Sequence, residues 1–375
     1  MNLTRLYTNR YARALARRLS PIITPLISTS QTLVNIDTST AEAALASVYP
    51  DAGNSSICSR TIAETKEYDL HIIIPVYNVE KYLQQCLDSA FSQQTKYRTF
   101  ITVVNDGSTD GSAAIVERYR TRSNIEIITQ TNQGLSAARN AALNNIRGRY
   151  VTFLDSDDYL APNAVEAFLN MAYRTNADIV DGNIMAFSPT SSRLVTNITS
   201  DIDDAPACAG FGCGKIIRAE LFRNIQFPVG YYFEDTIING LLLPLSRRVA
   251  RIKDVIYYYR QNPQGICISS LSNKRILDTY WVTRRTLLDY QQLGLPINEP
   301  IYNNMLEDAI RQHKMVTSLH DDNISLMHFI ALSGLFSDLF CDMQTSNKEL
   351  NRISQAIRSK NYNAYRWLCF ISPIA

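Results

Sequence analysis

The stretch Tyr150-Val151-Thr152-Phe153-Leu154-Asp155-Ser156-Asp157-Asp158 decides the fold class. Its first five residues form a short apolar run, the form of a strand buried on both faces of a parallel sheet. The run stops abruptly on three carboxylates. The same arrangement recurs upstream. Leu70-His71-Ile72-Ile73-Ile74-Pro75 is a strand of this kind and leads into Val76-Tyr77-Asn78. Phe100-Ile101-Thr102-Val103-Val104 leads into Asn105-Asp106-Gly107-Ser108, and Glu126-Ile127-Ile128 is a third strand. Helices are expected between them. Asn78 should cap the first, whose Val79, Tyr82, Leu83, Cys86, Leu87 and Ala90 recur at intervals of three and four. Ile115, Val116 and Tyr119 mark the second. Ser136, as a cap, opens the third, which runs to Ile146.

Strand and helix thus alternate four times within about 100 residues, which predicts right-handed crossovers and an open parallel α/β sheet. Ligands in such sheets bind beyond the carboxyl ends of the strands. The clusters Pro75–Asn78, Asn105–Ser108 and Asp155–Asp158 all fall at such ends, so the pattern predicts one shared site.

Charge and composition narrow the class. The 375 residues carry 37 Lys plus Arg against 35 Asp plus Glu, a net charge of +2. That balance argues against a nucleic-acid binder, which needs a clear basic excess. With 46% hydrophobic and 19% charged residues the chain is not of the disordered class. No apolar run is expected to reach the roughly 18 to 20 residues of a spanning helix. A soluble or peripheral globular protein follows, set in the cytoplasm or at the inner face of the cell membrane. The seven cysteines are scattered without zinc-ligand spacing and read as buried, reduced thiols.

Three regions are expected. Residues 1–66 form a leader that need not fold: Arg5, Arg10, Arg13, Arg17 and Arg18 precede any acid, and Ser and Thr are dense from Ser20 to Thr65. A basic segment of this kind suits a peripheral membrane contact. Residues 67–270 carry the α/β pattern, which weakens beyond Asp178; Lys215 to Phe222 reads as a short helix and Val255 to Tyr259 as a strand. Residues 271–375 read as helices, at about 276–288, 303–319, 324–340 and 348–358.

The polar clusters constrain the chemistry. Asp106, Asp155, Asp157 and Asp158 crowd neighbouring strand ends, and like charges this close need a compensating cation. A hard divalent ion held by one or two carboxylates, waters and substrate phosphates meets that need. Asn132-Gln133-Gly134-Leu135-Ser136-Ala137-Ala138-Arg139-Asn140 adds an arginine near a helix start, where an anion is already favoured.

Together, Pro75-Val76-Tyr77-Asn78, Asn105–Ser112, Asn132–Asn140 and Phe153–Asp158 resemble, in order and spacing, the signature of family-2 glycosyltransferases with the GT-A fold. The resemblance runs from about Tyr68 to Ser269, and Ala142 departs from a glycine common in the family. It implies a Rossmann-like, open, mostly parallel sheet flanked by helices, with a helical C-terminal region. It implies that Pro75, Tyr77 and Asp106 hold the nucleotide base, usually uracil, with Asp106 accepting its ring N–H. Asn132 and Arg139 would line the nucleotide pocket. Asp155-Ser156-Asp157 would be the DxD element, Asp155 meeting ribose or sugar and Asp157 ligating Mn2+ or Mg2+. Tyr231-Tyr232-Phe233-Glu234-Asp235 resembles the Glu-Asp element of the acceptor half, which makes Asp235 the candidate base with Glu234 beside it. The chemistry alone asks only for a carboxylate opposite the leaving group, so the two could exchange roles. Arg260, after Tyr257-Tyr258-Tyr259, would be a cation on the diphosphate.

The resemblance implies an inverting, metal-dependent transfer of a sugar from a UDP-linked donor to a hydroxyl of a glycan or lipid-linked acceptor. Two rivals stand beside it. A nucleotidyltransferase would show a Gly-rich basic loop after its first strand, which Pro75–Asn78 is not. A non-catalytic sugar-nucleotide or glycan-binding module of a polysaccharide assembly system would have no use for a base.

Overall fold

The computed structural model describes residues 16–18, 20, 36–63, 66–263, 265–266 and 273–374. The chain divides into two compact units, one of Ala52–Gly265 with Arg285–Leu293, the other of Met1–Asp51, Ile266–Arg284 and Gly294–Ala375. Helix α1 (Thr38–Val48) belongs to the second unit and is capped by Asp37, whose carboxylate accepts from Thr40 N at 2.8 Å.

The first unit holds the sheet. Strands β1 (Tyr68–Val76), β2 (Thr99–Asp106), β3 (Ile125–Gln130) and β4 (Gly148–Phe153) alternate with α2 (Glu80–Phe91), α3 (Ser112–Glu117) and α4 (Leu135–Leu143). They pair in parallel in the order β3-β2-β1-β4. β1 is buried from Leu70 through Val76, which is why it reads as an unbroken apolar run.

After β4 the sheet becomes mixed. β5 (Tyr159–Leu160), α5 (Ala164–Thr175), β6 (Ile179–Phe187), β7 (Ser192–Leu194), β8 (Lys215–Arg218) and β9 (Val249–Arg260) follow. β8 runs antiparallel to both β4 and β6, and β9 runs parallel to β6. Two reversals restore the direction, so β6 and β9 end on the same edge as β1, β2 and β4. The amino end of β8 lies on that edge too. Among the described residues the sheet has nine strands, and the open, mostly parallel α/β architecture expected from the sequence is present.

Local expectations change in three places. Lys215 to Phe222 is not a helix but β8 followed by a 3-10 turn at Ala219–Phe222, because Ile216 and Ile217 are buried between β4 and β6. Asn78 does not cap α2. It has φ 47°, and its Oδ1 accepts from Thr109 N at 2.8 Å, so the side chain fastens the next loop instead. Ser136 does not cap α4, whose cap is Gly134 with φ 89°, a conformation that favours glycine.

The second unit is helical. Helix α6 (Asp278–Gln292) contributes residues to both units. α7 (Glu299–Val316), α8 (Asp322–Phe340), α9 (Lys348–Arg358) and α10 (Tyr362–Ile371) complete the second unit. α8 packs against α1, α7 and α9. Among the described residues it alone is long and apolar enough to cross a membrane, which corrects the expectation that no run would reach that length. Its apolar character on all sides follows from being covered on several sides, with Phe329, Ile330, Leu332 and Phe340 buried. At its centre a Cβ on Gly334 would lie 2.0 Å from Thr38 Oγ1, so α1 meets α8 where there is no side chain.

Part of the expected leader is folded. Besides α1, Ile57 bridges to Ile225, Cys58 N donates to Asn224 O at 2.9 Å, and Ser56 N donates to Asp289 Oδ2 at 2.6 Å. Arg17 Nε donates to Ile371 O at 2.5 Å. Arg5, Arg10 and Arg13 lie outside the described residues.

Candidate active site

The loops after β1 and β2 are laced together. Asn78 N donates to Ser108 Oγ at 3.2 Å, Val79 N to Ser112 Oγ at 3.0 Å, and Glu80 N to Asp110 Oδ2 at 3.0 Å. Gly107, with φ 75°, lies so close to the loop after β3 that a Cβ there would be 2.8 Å from Asn132 N. Asp106 ends β2, buried, and accepts from Gln130 Nε2 at 2.7 Å, Gln133 N at 2.9 Å and Gly134 N at 2.8 Å. A carboxylate has about four acceptor positions, so one remains on Asp106. Around this fixed loop, Pro75 is buried in β1, whereas Tyr77 is 50% exposed and Asn132 is exposed. The loops after β1, β2 and β3 thus meet at the carboxyl edge of the sheet.

Arg139 is the centre of the second half of the site. It is buried on α4, donating Nη1 to Glu234 Oε1 at 2.5 Å and Nη2 to Asp155 Oδ1 at 2.8 Å. Its guanidinium lies over the rings of Phe153 and Phe227, with centroids at 5.5 and 5.1 Å. Burial works against its charge, but Asp155, Glu234 and Asp235 outweigh it and keep the group firmly protonated. Arg139 therefore joins the β4 turn to the Glu-Asp pair. Asp235 follows, its Oδ2 accepting from Gly212 N at 3.3 Å. Burial and the neighbouring Glu234 push its carboxyl up to about 7, against the pull of Arg139, Gly212 N–H and Lys215. This raised proton affinity is of the kind a general base near neutral pH requires.

The turn after β4 is stapled to the end of β9. Tyr257 accepts from Asp155 N at 3.2 Å and donates its hydroxyl to Asp158 Oδ2 at 2.7 Å. Asp158 Oδ1 accepts from Arg260 N at 2.6 Å. Asp158 is buried, and burial together with Asp155 and Asp157 raises its carboxyl well above the usual carboxylate range. It is a structural fastener. Arg260 donates Nε to Asp157 O at 2.8 Å and Nη2 to Gln85 Oε1 at 2.6 Å, between the rings of Tyr82 and Phe187. Asp157 Oδ2 accepts from Asn262 Nδ2 at 3.0 Å, and burial, with a smaller contribution from Asp155, raises its carboxyl too. Among the described residues no group of three or more His, Cys, Asp or Glu side chains is gathered as a ready-made metal cage. The donor set at Asp157 suits a Mg2+ or Mn2+ ion whose other ligands are water and diphosphate oxygens. Burial and the neighbouring carboxylates raise the carboxyls of Asp157 and Asp158, and a cation here would compensate that crowding.

Sequence reasoning missed Lys215, Gly212 and Tyr257 as members of this edge, whereas Asn262 lies in the segment Asn262–Gly265 that the family resemblance places beside the diphosphate. Lys215 carried a signal: a lone charge at the start of Ile216-Ile217. Tyr257 reads as core, and it is fully buried, but its hydroxyl joins the turn.

A mixed α/β sheet whose central strands run parallel, with carboxylates at the ends of β2 and β4, is the architecture of the GT-A class. Residues 71–233 match the family model described as glycosyl transferase family 2. Glycosyltransferase GlyA of Streptococcus pneumoniae is 34% identical over 269 residues, 64% of this chain but only 37% of GlyA. The putative glycosyltransferase EpsH of Bacillus subtilis is 31% identical over 268 residues, 67% of this chain and 76% of EpsH. Among solved structures, S. aureus TarS 1-349 in complex with UDP-GlcNAc superposes with a TM-score of 0.64 at 21% identity, covering 80% of this chain and 90% of that one. The chain belongs to the family-2 glycosyltransferases.

Proposed function

We propose that this glycosyltransferase moves a sugar, with inversion, from a UDP-linked donor to a hydroxyl of a glycan or lipid-linked acceptor in surface-polymer synthesis. The observation that carries the reading is the joining of the two halves by Arg139, which puts the Glu234-Asp235 pair beside the Asp155-Asp157 turn. Asp106, Tyr77, Pro75 and Asn132 bind the nucleotide, Asp106 through its remaining acceptor position. Asp155 contacts ribose or sugar, and Arg260 stabilises the diphosphate. Asp157 would ligate Mn2+ or Mg2+, which when bound neutralises charge building on the leaving group. Asp235 takes the acceptor proton as the hydroxyl attacks the anomeric carbon, and Glu234 holds Arg139 and tunes Asp235. Holding donor and acceptor together supplies roughly 7–11 kcal/mol of the barrier. UDP-bound forms of the TarS fold relative support the donor class. The test is incubation with a panel of UDP-sugars, with and without Mn2+, reading UDP release and the anomeric configuration of the product. Release from none of them, or a retained configuration, overturns the reading.

A further inference from the structure

Lys215 is buried at the amino end of β8, 1% exposed, with no carboxylate as its hydrogen-bond partner. Its ammonium donates instead to two backbone carbonyls, Phe211 O and, at 3.0 Å, Cys213 O. These flank Gly212, whose N–H is the backbone donor to Asp235 Oδ2. The loop is thus curled around the ammonium with its intervening amide turned outward to the carboxylate. Gly212 sits against the same groups from the other side: a Cβ on it would lie 3.5 Å from Asp235 Cβ and 3.6 Å from Arg139 Nη1. Thr152 Oγ1 donates to Lys215 O at 2.7 Å, which ties the end of the loop to β4 just ahead of the acidic turn. Burying an ammonium is costly unless its donors are satisfied. Here two of its three donors are met by neutral carbonyls, so no carboxylate bonds to its positive charge, which acts on what lies beyond the loop.

We propose that Lys215 is a positioning residue for the reaction: by holding the carbonyls of Phe211 and Cys213 it aims the Gly212 N–H at Asp235 and keeps that carboxylate in place for the acceptor hydroxyl. This rests on Asp235 being the base. The charged groups facing Asp235 are Glu234, Arg139 and Lys215. Of these only Lys215 both carries positive charge toward Asp235 and shapes the loop that holds it. Removing the charge favours the protonated carboxyl and moves its titration toward higher pH.

Lys215→Met and Lys215→Gln test the proposal. Gln keeps an amide NH2 that can donate to the carbonyls and lacks the charge, so it remains readable where Met fails to fold. Each variant is expected to lower kcat at pH 7 about tenfold, to leave the donor KM within about twofold, and to move the pH of half-maximal kcat upward by about one unit. A merely structural lysine would lower kcat and stability without moving that midpoint. A folded Lys215→Gln enzyme with wild-type kcat and midpoint overturns the inference. Asp235→Asn, run in parallel, separates the two layers. If Asp235→Asn keeps full transfer, the assignment of the base fails; if it is inactive while both Lys215 variants behave as wild type, only the role of Lys215 fails.

Discussion

Arg139 Nη1 lies 2.5 Å from Glu234 Oε1, a contact between residues 95 apart in the chain. The same guanidinium reaches Asp155 at 2.8 Å with its other nitrogen. One buried cation therefore holds the turn after β4 and the Glu234-Asp235 pair in register. Removing it by Arg139→Met leaves Glu234 buried beside Asp235 without its counter-charge. A loss of about 3–5 kcal/mol is expected, the usual cost of breaking a buried pair from one side. Urea unfolding monitored by circular dichroism measures it, and unchanged stability would show that the pair contributes nothing.

Asp235→Asn is expected to reduce transfer by at least about 100-fold while donor affinity stays within a few-fold, since only the proton acceptor is lost. Initial rates with saturating donor, set beside calorimetric UDP binding, provide the check. Equal loss in Glu234→Gln with an active Asp235→Asn would reverse the two roles.

The same residue sets a pH dependence. Asp235 must be ionised to accept a proton, and its carboxyl titrates at about 7, so kcat should rise through neutrality and level off above about pH 8. The stability effect has the opposite sign. The unfolded chain loses this proton near the ordinary 3.8, so the folded state is penalised increasingly as pH climbs from about 4 through 7. Asp235→Asn should melt higher than wild type at pH 8 and no higher at pH 4. Calorimetric scans at the two values decide it.

Asp157→Ala should abolish the stimulation of UDP binding by Mn2+, because Asp157 is the one carboxylate of the turn assigned to the metal. Chelation with EDTA should mimic the variant in the wild-type enzyme. Metal-stimulated binding that survives in Asp157→Ala would move the ligand elsewhere.

In the helical unit His313 is buried against the rings of Tyr362 and Tyr365, and its imidazole is pushed down by burial to about 3. His328 is pushed down to about 4 for the same reason. Both contribute stability that is complete above the ordinary histidine value of about 6.5 and is lost as pH falls toward 4. His313→Leu should flatten the acid limb of melting temperature against pH, and an equally steep limb in the variant counts against a neutral buried imidazole.

The sequence by itself determined the parallel core and its reactive edge. An unbroken apolar strand followed by a polar cluster is legible because a strand covered on both faces leaves its polar groups only at its end, and that held at β1, β2 and β4. It also determined the family, through four short motifs in order. Tertiary structure decided what local pattern could not. Lys215–Phe222 became strand and 3-10 turn because β4 and β6 had an edge to fill between them. Asn78 and Ser136 lost their expected capping roles to a cross-loop bond and to a glycine. Asp158 proved to be a fastener because Tyr257, 99 residues away, donates to it. α8 is apolar on every side because α1, drawn from a stretch that reads as a leader, covers one of them. Most decisively, the Arg139 bridge joins side chains 16 and 95 residues away, and the loop held by Lys215 meets Asp235 through Gly212, 23 residues away. Such placement follows from packing and hydrogen-bond satisfaction in three dimensions, and no periodicity along the chain encodes it.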